Sequence, residues 1–179
     1  MKVKVYRSDE ANLRLRQEGT FSMPYINTDI NESYEHGNVA ERYAHDILGC
    51  FAHGVHYYCD WNLTLNEKNE PCHNRTGRGC SADAPVYCNK ETGKLVFRLS
   101  YYCIGHISKF VQKGAKVVCY SSYTEKLECC AFKNPDRTVA LVVLNKTGED
   151  LPAYIRLSGC VYKTKIPRRS IATFIIEKE

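Results

Sequence analysis

The sequence predicts a mixed α/β segment followed by an all-β sandwich. Three observations carry that reading. Apolar residues recur at helical spacing over 39–52 and again over 101–111. A β-rich run, Val55 to Tyr58, lies between them and stops at Asp60-Trp61-Asn62. From Gly114 onward the apolar period shortens to that of strands, with turn residues at regular intervals.

Val3–Tyr6 reads as a short strand. Arg14 to Phe21 is polar and without period, and Asn27 to Gly37 is acidic and turn-rich, a loop by composition. Val39, Tyr43, Ile47, Leu48 and Phe51 then give a helix one buried face, and Gly54 is a natural stop for it. Val55–Tyr58 follows as a strand. Asn66 to Asp83 holds Pro71, Gly77, Gly79 and cysteines at 72 and 80, and reads as a long loop of the kind that usually carries function. Val86–Cys88 and Leu95–Arg98 form a hairpin around Asn89–Gly93. Tyr101 to Val111 is a second helix that buries Ile104, Ile107, Phe110 and Val111. Strands follow at Ala115–Ser121, Leu127–Lys133, Thr138–Asn145, Tyr154–Leu157 and Ile171–Glu177. Turn residues separate them at Asn134-Pro135-Asp136, Thr147-Gly148-Glu149-Asp150 and Ser158-Gly159, the rhythm of a β-sandwich.

At 179 residues the chain has the length of one domain or one and a half. Its net charge is +5, but lysines and arginines are scattered. The one tight basic group, Lys163, Lys165, Arg168 and Arg169, sits beside Pro167 and reads as a solvated turn, so no nucleic-acid partner is expected. No apolar run approaches membrane-spanning length, and Met1-Lys-Val-Lys-Val lacks the apolar core of a signal peptide, so no membrane insertion is expected and the cytoplasm is the default compartment.

The 10 cysteines contain no Cys-x2-Cys pair, and Cys72-His73, Cys80 and Cys88 fit no standard zinc spacing. Neither a metal nor an organic cofactor is expected. Cys50, Cys103 and Cys119 lie in apolar runs and should behave as small buried hydrophobes. Asn31, Asn62, Asn74 and Asn145 head glycosylation tripeptides, which matter only in a secreted chain.

Trp61 is the only tryptophan of the chain. An indole offers an apolar platform, and the flanking Asp60 carboxylate and Asn62 amide can take hydroxyls, which is the chemistry of a sugar-binding floor at the end of a barrel strand. A core tryptophan beside a strand-end turn would look the same.

The neighbours of the triplet form an ordered set: Ala40-Glu41-Arg42-Tyr43-Ala44-His45-Asp46-Ile47-Leu48-Gly49, Asp60-Trp61-Asn62-Leu63-Thr64-Leu65, Tyr101-Tyr102-Cys103-Ile104-Gly105-His106-Ile107-Ser108-Lys109-Phe110, Val142-Val143-Leu144-Asn145 and Ser170-Ile171-Ala172-Thr173-Phe174. Over roughly residues 38–179 this set resembles the C-terminal part of the family 30 glycoside hydrolases, the glucosylceramidase-like enzymes. The resemblance implies a C-terminal fragment of a (β/α)8 TIM barrel, residues 1–112, followed by a β-sandwich domain, residues 113–179. A complete barrel takes about 250 residues, so the resemblance also implies a piece of the enzyme: a truncated or frame-shifted product, a subunit whose missing barrel half a second chain supplies as partner, or a non-catalytic remnant.

The implied activity is retaining hydrolysis of β-glycosidic bonds on a carbohydrate or glycolipid: glucosylceramide in sphingolipid metabolism, or related β-glucosides or β-xylosides. Retention needs two carboxyl groups about 5–5.5 Å apart. The family's acid/base lies in an Asn-Glu pair after the fourth barrel strand, and Asn31-Glu32, Asn66-Glu67 and Asn69-Glu70 do not stand there. The nucleophile precedes the Tyr43 helix. A gapless count puts Met23 at its position, and a thioether cannot attack an anomeric carbon. Small gaps bring in Glu18, Glu10 or Asp29, each of which also reads as a surface charge. The binding floor carries over better: Asp60, Trp61 and Asn62 match, with Trp61 lining the glycone subsite. Tyr58 stands where the lysosomal members carry tryptophan, and Thr76 stands near an asparagine that contacts the sugar. His45 and His106 fall outside the pocket and read as structural. The alternative is a non-catalytic carbohydrate-binding remnant.

Overall fold

Alternating strands in the C-terminal half build one antiparallel sheet, and its two faces organise the rest of the molecule. The computed structural model describes residues 1–9, 16–18, 36–60, 62–68, 70–71 and 84–177. The elements are β1 (Lys2–Asp9), β2 (Arg16–Glu18), α1 (His36–Ala52), β3 (Thr64–Asn66), β4 (Val86–Cys88), β5 (Leu95–Phe97), α2 (Leu99–Ser108), β6 (Lys116–Val117), β7 (Leu127–Lys133), β8 (Val139–Asn145), β9 (Leu151–Leu157), β10 (Cys160–Ile166) and β11 (Ser170–Glu177). Six strands pair in the order β2-β1-β11-β8-β7-β6. The β9–β10 hairpin forms a second layer, and β3-β4-β5 a small third sheet in which β3 and β4 run parallel.

The period of two divides the sheet cleanly. On one face, Cys130, Phe132, Ala140, Val142, Leu144 and Ile171 form a core with Ala40, Ala44, Ile47 and Leu48 of α1 and with Cys103 and Ile107 of α2. On the other face, Val143, Ala172, Phe174 and Ile176 meet Ile166 and the inward residues of the hairpin. Phe132 and Phe174 are among the largest fully buried side chains, one on each face. Each contributes about 1.5–3 kcal/mol of apolar burial. The mixed α/β arrangement, part barrel-like and part sandwich, is the class that the sequence predicts.

α1 forms because its apolar residues fall at 40, 44, 47, 48 and 51, one stripe of a helix. It stops in a Schellman cap: Gly54 takes φ +87°, its N–H donates to Phe51 O at 3.1 Å, and Val55 N–H donates to Cys50 O at 3.0 Å.

Several expectations are corrected. Residues 55–58 are extended but unpaired, and the first strand after α1 is β3. A strand exists by its ladder, and among the described residues nothing pairs with 55–60, where Val55 and Tyr57 stand exposed. The division at 112/113 also fails at the N-terminus, because β1 pairs with β11 along its whole length, Lys2↔Glu177 to Asp9↔Ser170, inside the sandwich sheet. Lys163 and Lys165 are not in a turn. They sit in β10, alternating outward on the exposed face of the hairpin. Cys103 is buried as expected, but Cys119 is exposed, because β6 is a two-residue edge strand that ends before it.

Two buried asparagines lock the connections. Asn134 donates to Phe110 O and Thr138 Oγ1, both at 3.0 Å, and accepts from Gln112 N–H at 3.0 Å, joining the end of α2 to the β7–β8 turn. Asn145 donates to the carbonyls of Glu149, Ile166 and Pro167, and accepts from Thr147 N–H and hydroxyl. Its amide is wholly committed, so this glycosylation tripeptide is closed in the folded state.

Candidate functional site

The floor residues are positioned by α1. On its surface Tyr43, Asp46 and Cys50 fall at i, i+3 and i+7, and the Schellman cap turns the chain back along that surface. Tyr58 therefore lies half-buried against the helix, feeling the charges of Asp60 and Asp46 and the Cys50 thiol. Burial and then those two carboxylates raise the Tyr58 phenol above its usual value. Asp60 is exposed and accepts a hydrogen bond from the Tyr43 hydroxyl. Burial, with the Asp60 charge and this bond added, pushes the Tyr43 phenol up to about 12. Tyr43 thus stays a neutral donor throughout the physiological range.

Arg98 completes the group. It precedes the first residue of α2, its N–H donates to Pro85 O at 3.0 Å, and its guanidinium lies 5.2 Å from the centroid of the buried Tyr87 ring. Burial depresses its proton affinity and the neighbouring Tyr43 opposes that. The cluster Tyr43–Tyr58–Asp60–Arg98 therefore draws on α1, the extended segment and the start of α2.

Asn62 follows in a left-handed conformation, φ +65°. Asparagine tolerates that region better than most residues. Among the described residues its buried Nδ2 has no hydrogen-bond partner, and leaving such a donor without an acceptor costs about 1–3 kcal/mol.

Trp61 and Thr76 lie outside the described residues, as do Glu10 and Asp29. Glu18 is described through its backbone: it ends β2, opposite Val5, at the outer edge of the sandwich sheet. Of the expected floor, the structure sets Tyr58 and Asp60 within electrostatic reach of each other, with Asn62 two residues further along the chain. It adds Tyr43 and Arg98, which sequence reasoning missed. Tyr43 was legible as one residue of the buried stripe of α1, and a phenol on such a stripe needs a polar partner.

A second cavity, of about 530 Å³, opens at the carboxyl ends of the parallel strands β3 and β4, beside Asn66, Glu70, Cys88 and Lys90. Buried Asn66 organises it, donating to Glu70 at 3.0 Å while accepting the N–H groups of Lys68 and Glu70 at 2.8 Å. Asn66, then Lys90 at 2.9 Å, hold Glu70 below the usual carboxylate range. Backbone N–H donors do the same for Glu67. A general acid must carry a proton at working pH, so both are set against that role. Among the described residues no group of three or more His, Cys, Asp or Glu could hold a metal.

His45 and His106 are structural. His45 Nδ1 meets Glu128 at 2.7 Å, beside Lys146. His106 is fully buried, its Nδ1 2.8 Å from Thr173 Oγ1, and its Nε2 has no partner. Burial drives its pKa down to about 3, so it is neutral.

A partial barrel-like arrangement of helices and strands beside a β-sandwich is the architecture of the family 30 glycosidases. Comparison with known proteins agrees. Residues 114–174 match the glycosyl hydrolase family 30 beta sandwich domain. Lysosomal acid glucosylceramidase of Mus musculus is 29% identical over 140 residues, 77% of this chain and 26% of that protein. Endo-1,6-beta-D-glucanase BGN16.3 of Trichoderma harzianum is 29% identical over 147 residues, 78% of this chain and 28% of that protein. The crystal structure of SrfJ from Salmonella typhimurium superposes with a TM-score of 0.76 at 30% identity, covering 83% of this chain and 33% of that one. The chain has a family 30 glycosidase fold, and it spans about a quarter to a third of the length of these relatives.

Proposed function

We propose that this chain forms the glycone-binding floor and β-sandwich of a retaining glycoside hydrolase of the family 30 type, acting on β-glucosides, glucosylceramide or β-xylosides. The observation that carries the proposal is the buried Asn62 amide, without a partner among the described residues, next in sequence to Trp61 and two residues beyond Asp60. A sugar hydroxyl is an acceptor that such a donor lacks, and the adjoining indole suits the apolar face of a pyranose. In this reading β1, β2 and residues 116–177 are the sandwich, and residues 36–112 belong to the barrel. The nucleophile comes from Glu18, Glu10 or Asp29, or, together with the acid/base, from a second polypeptide that completes the barrel. Exposure of Tyr57 at 86% and Leu63 at 73%, on either side of the triplet, favours such a covering partner.

The test uses the single tryptophan as a reporter. Nitrophenyl β-glucosides and β-xylosides are titrated into the purified chain while Trp61 fluorescence and nitrophenol release are followed. The expected result is a saturable fluorescence change that Asn62→Ala weakens at least about tenfold, the loss of one hydrogen bond to a polar group. Turnover abolished by one of Glu18→Gln, Glu10→Gln or Asp29→Asn names the nucleophile. Binding without turnover supports the second reading, a carbohydrate-binding unit. No fluorescence response to any sugar overturns both.

A further inference from the structure

Among the described residues the layer that covers the sandwich sheet is two strands wide over a sheet of six, and the strip it leaves open is a groove. It has a volume of about 1130 Å³ and runs between β9 and the β7–β8 end of the sheet. Val139, Leu141 and Ile155 give it apolar walls.

Hairpin geometry decides what β9 presents to it. Ser158 and Gly159 have φ +49° and +79°, both positive, which is a two-residue type I′ turn. Such a turn is closed by a hydrogen-bonded pair, here Leu157↔Cys160, so the bonded pairs continue at Ile155↔Tyr162 and Ala153↔Thr164. The N–H and C=O groups of Tyr154 and Arg156 are therefore directed away from β10. Pro152 belongs to the same outward set, where a missing N–H removes no ladder bond. The groove touches β9 at Ile155–Leu157 and does not touch β10, so this open edge is its wall.

The rim is positive. Lys133, Arg137 and Arg156 are exposed on it, and Lys116 stands directly opposite Lys133 in the β6–β7 register, a like-charge pair. Of the acids at the rim, Glu177 is paired with Lys4 at 2.9 Å, and Asp136, hydrogen-bonded by Gln112 and Thr138, keeps its negative charge, which leaves the three cations in excess.

We propose that this groove binds an extended acidic polypeptide segment, which adds to β9 as a third strand of the second layer. Main-chain bonds to Tyr154 and Arg156 would supply affinity, alternate apolar side chains would enter between Leu141 and Ile155, and outward carboxylates would meet Lys133, Arg137 and Arg156.

The test uses the full chain and a fluorescent, capped peptide of alternating glutamate and valine, as long as the seven residues of β9. Anisotropy should show saturable binding. Reversing charge with Lys133→Glu and Arg156→Glu, both at exposed positions, should weaken it at least about tenfold, and a lysine–valine peptide should bind correspondingly worse. N-methylation of alternate peptide residues should abolish it, which separates strand addition from charge attraction alone. Equal affinity for acidic and basic peptides, indifference to N-methylation, or no binding overturns the proposal. So does a chain that dimerises in sedimentation and is dispersed by the peptide, since a second copy would then own the groove.

Discussion

The Tyr43 hydroxyl, in the middle of α1, is hydrogen-bonded to the carboxylate of Asp60, on the extended segment that follows the helix. That bond ties the start of the Asp60-Trp61-Asn62 triplet to a helix whose other face is packed on the sandwich sheet.

Tyr43 should titrate late. Its phenol is pushed up to about 12, first by burial and then by Asp60, from an ordinary 10.0. A raised folded value contributes stability that is complete below pH 10 and is lost as pH climbs through about 12. Ultraviolet titration of phenolate should show one tyrosine of the native protein shifted to lower pH by Asp60→Asn, and the alkaline loss of stability should soften with it.

His106 should govern the acid limb of stability. Its folded pKa of about 3 lies below the ordinary 6.5, because the imidazolium would be buried. Stability is complete above pH 6.5 and falls as pH drops towards 3, by up to roughly 4 kcal/mol. Urea unfolding at several pH values should show this slope. His106→Gln, which cannot charge, should flatten it while costing some stability at pH 7 through the altered bond to Thr173.

Asn145→Ala should destabilise the fold by about 1–3 kcal/mol, since it removes the buried amide that links β8 to the carbonyls of Glu149, Ile166 and Pro167, of which Pro167 keeps Ser170 Oγ as a donor. Asn145→Asp should cost at least as much, because a carboxylate cannot donate to those carbonyls. Chemical denaturation measures both. An Asn145 change that left stability untouched would show that the junction between β8 and the hairpin is satisfied in some other way.

Thiol labelling should divide the cysteines. Cys59, Cys119 and Cys160 are exposed, whereas Cys103 and Cys130 are buried, with thiols pushed up to about 12 and about 11. Under native conditions a disulfide reagent should modify the first three and spare the other two until the chain unfolds. Mass spectrometry of the labelled peptides reads the order directly.

Much of the fold was legible because period and turn chemistry are local. The stripe of α1, the stop at Gly54, β7 at Leu127–Lys133 and β8 at Val139–Asn145 all follow from the spacing of apolar residues and from single turn residues. β10 was hidden, because its outward lysines, 163 and 165, imitate a basic turn when the partner strand is not in view. The strand expected at Val55–Tyr58 failed for the converse reason: its composition favours a strand, but composition supplies no neighbour to pair with.

The sequence by itself determined the mixed class and the order of most elements. Tertiary structure decided the rest, because those features depend on partners distant along the chain. It put β1 against β11, tied Tyr43 to Asp60, drew Arg98 to Tyr87 and left the amide of Asn62 without an acceptor among the described residues. Local propensity sets φ, ψ and which side of an element is apolar. Which hydroxyl finds which carboxylate, and which polar atom is left waiting, is settled by packing.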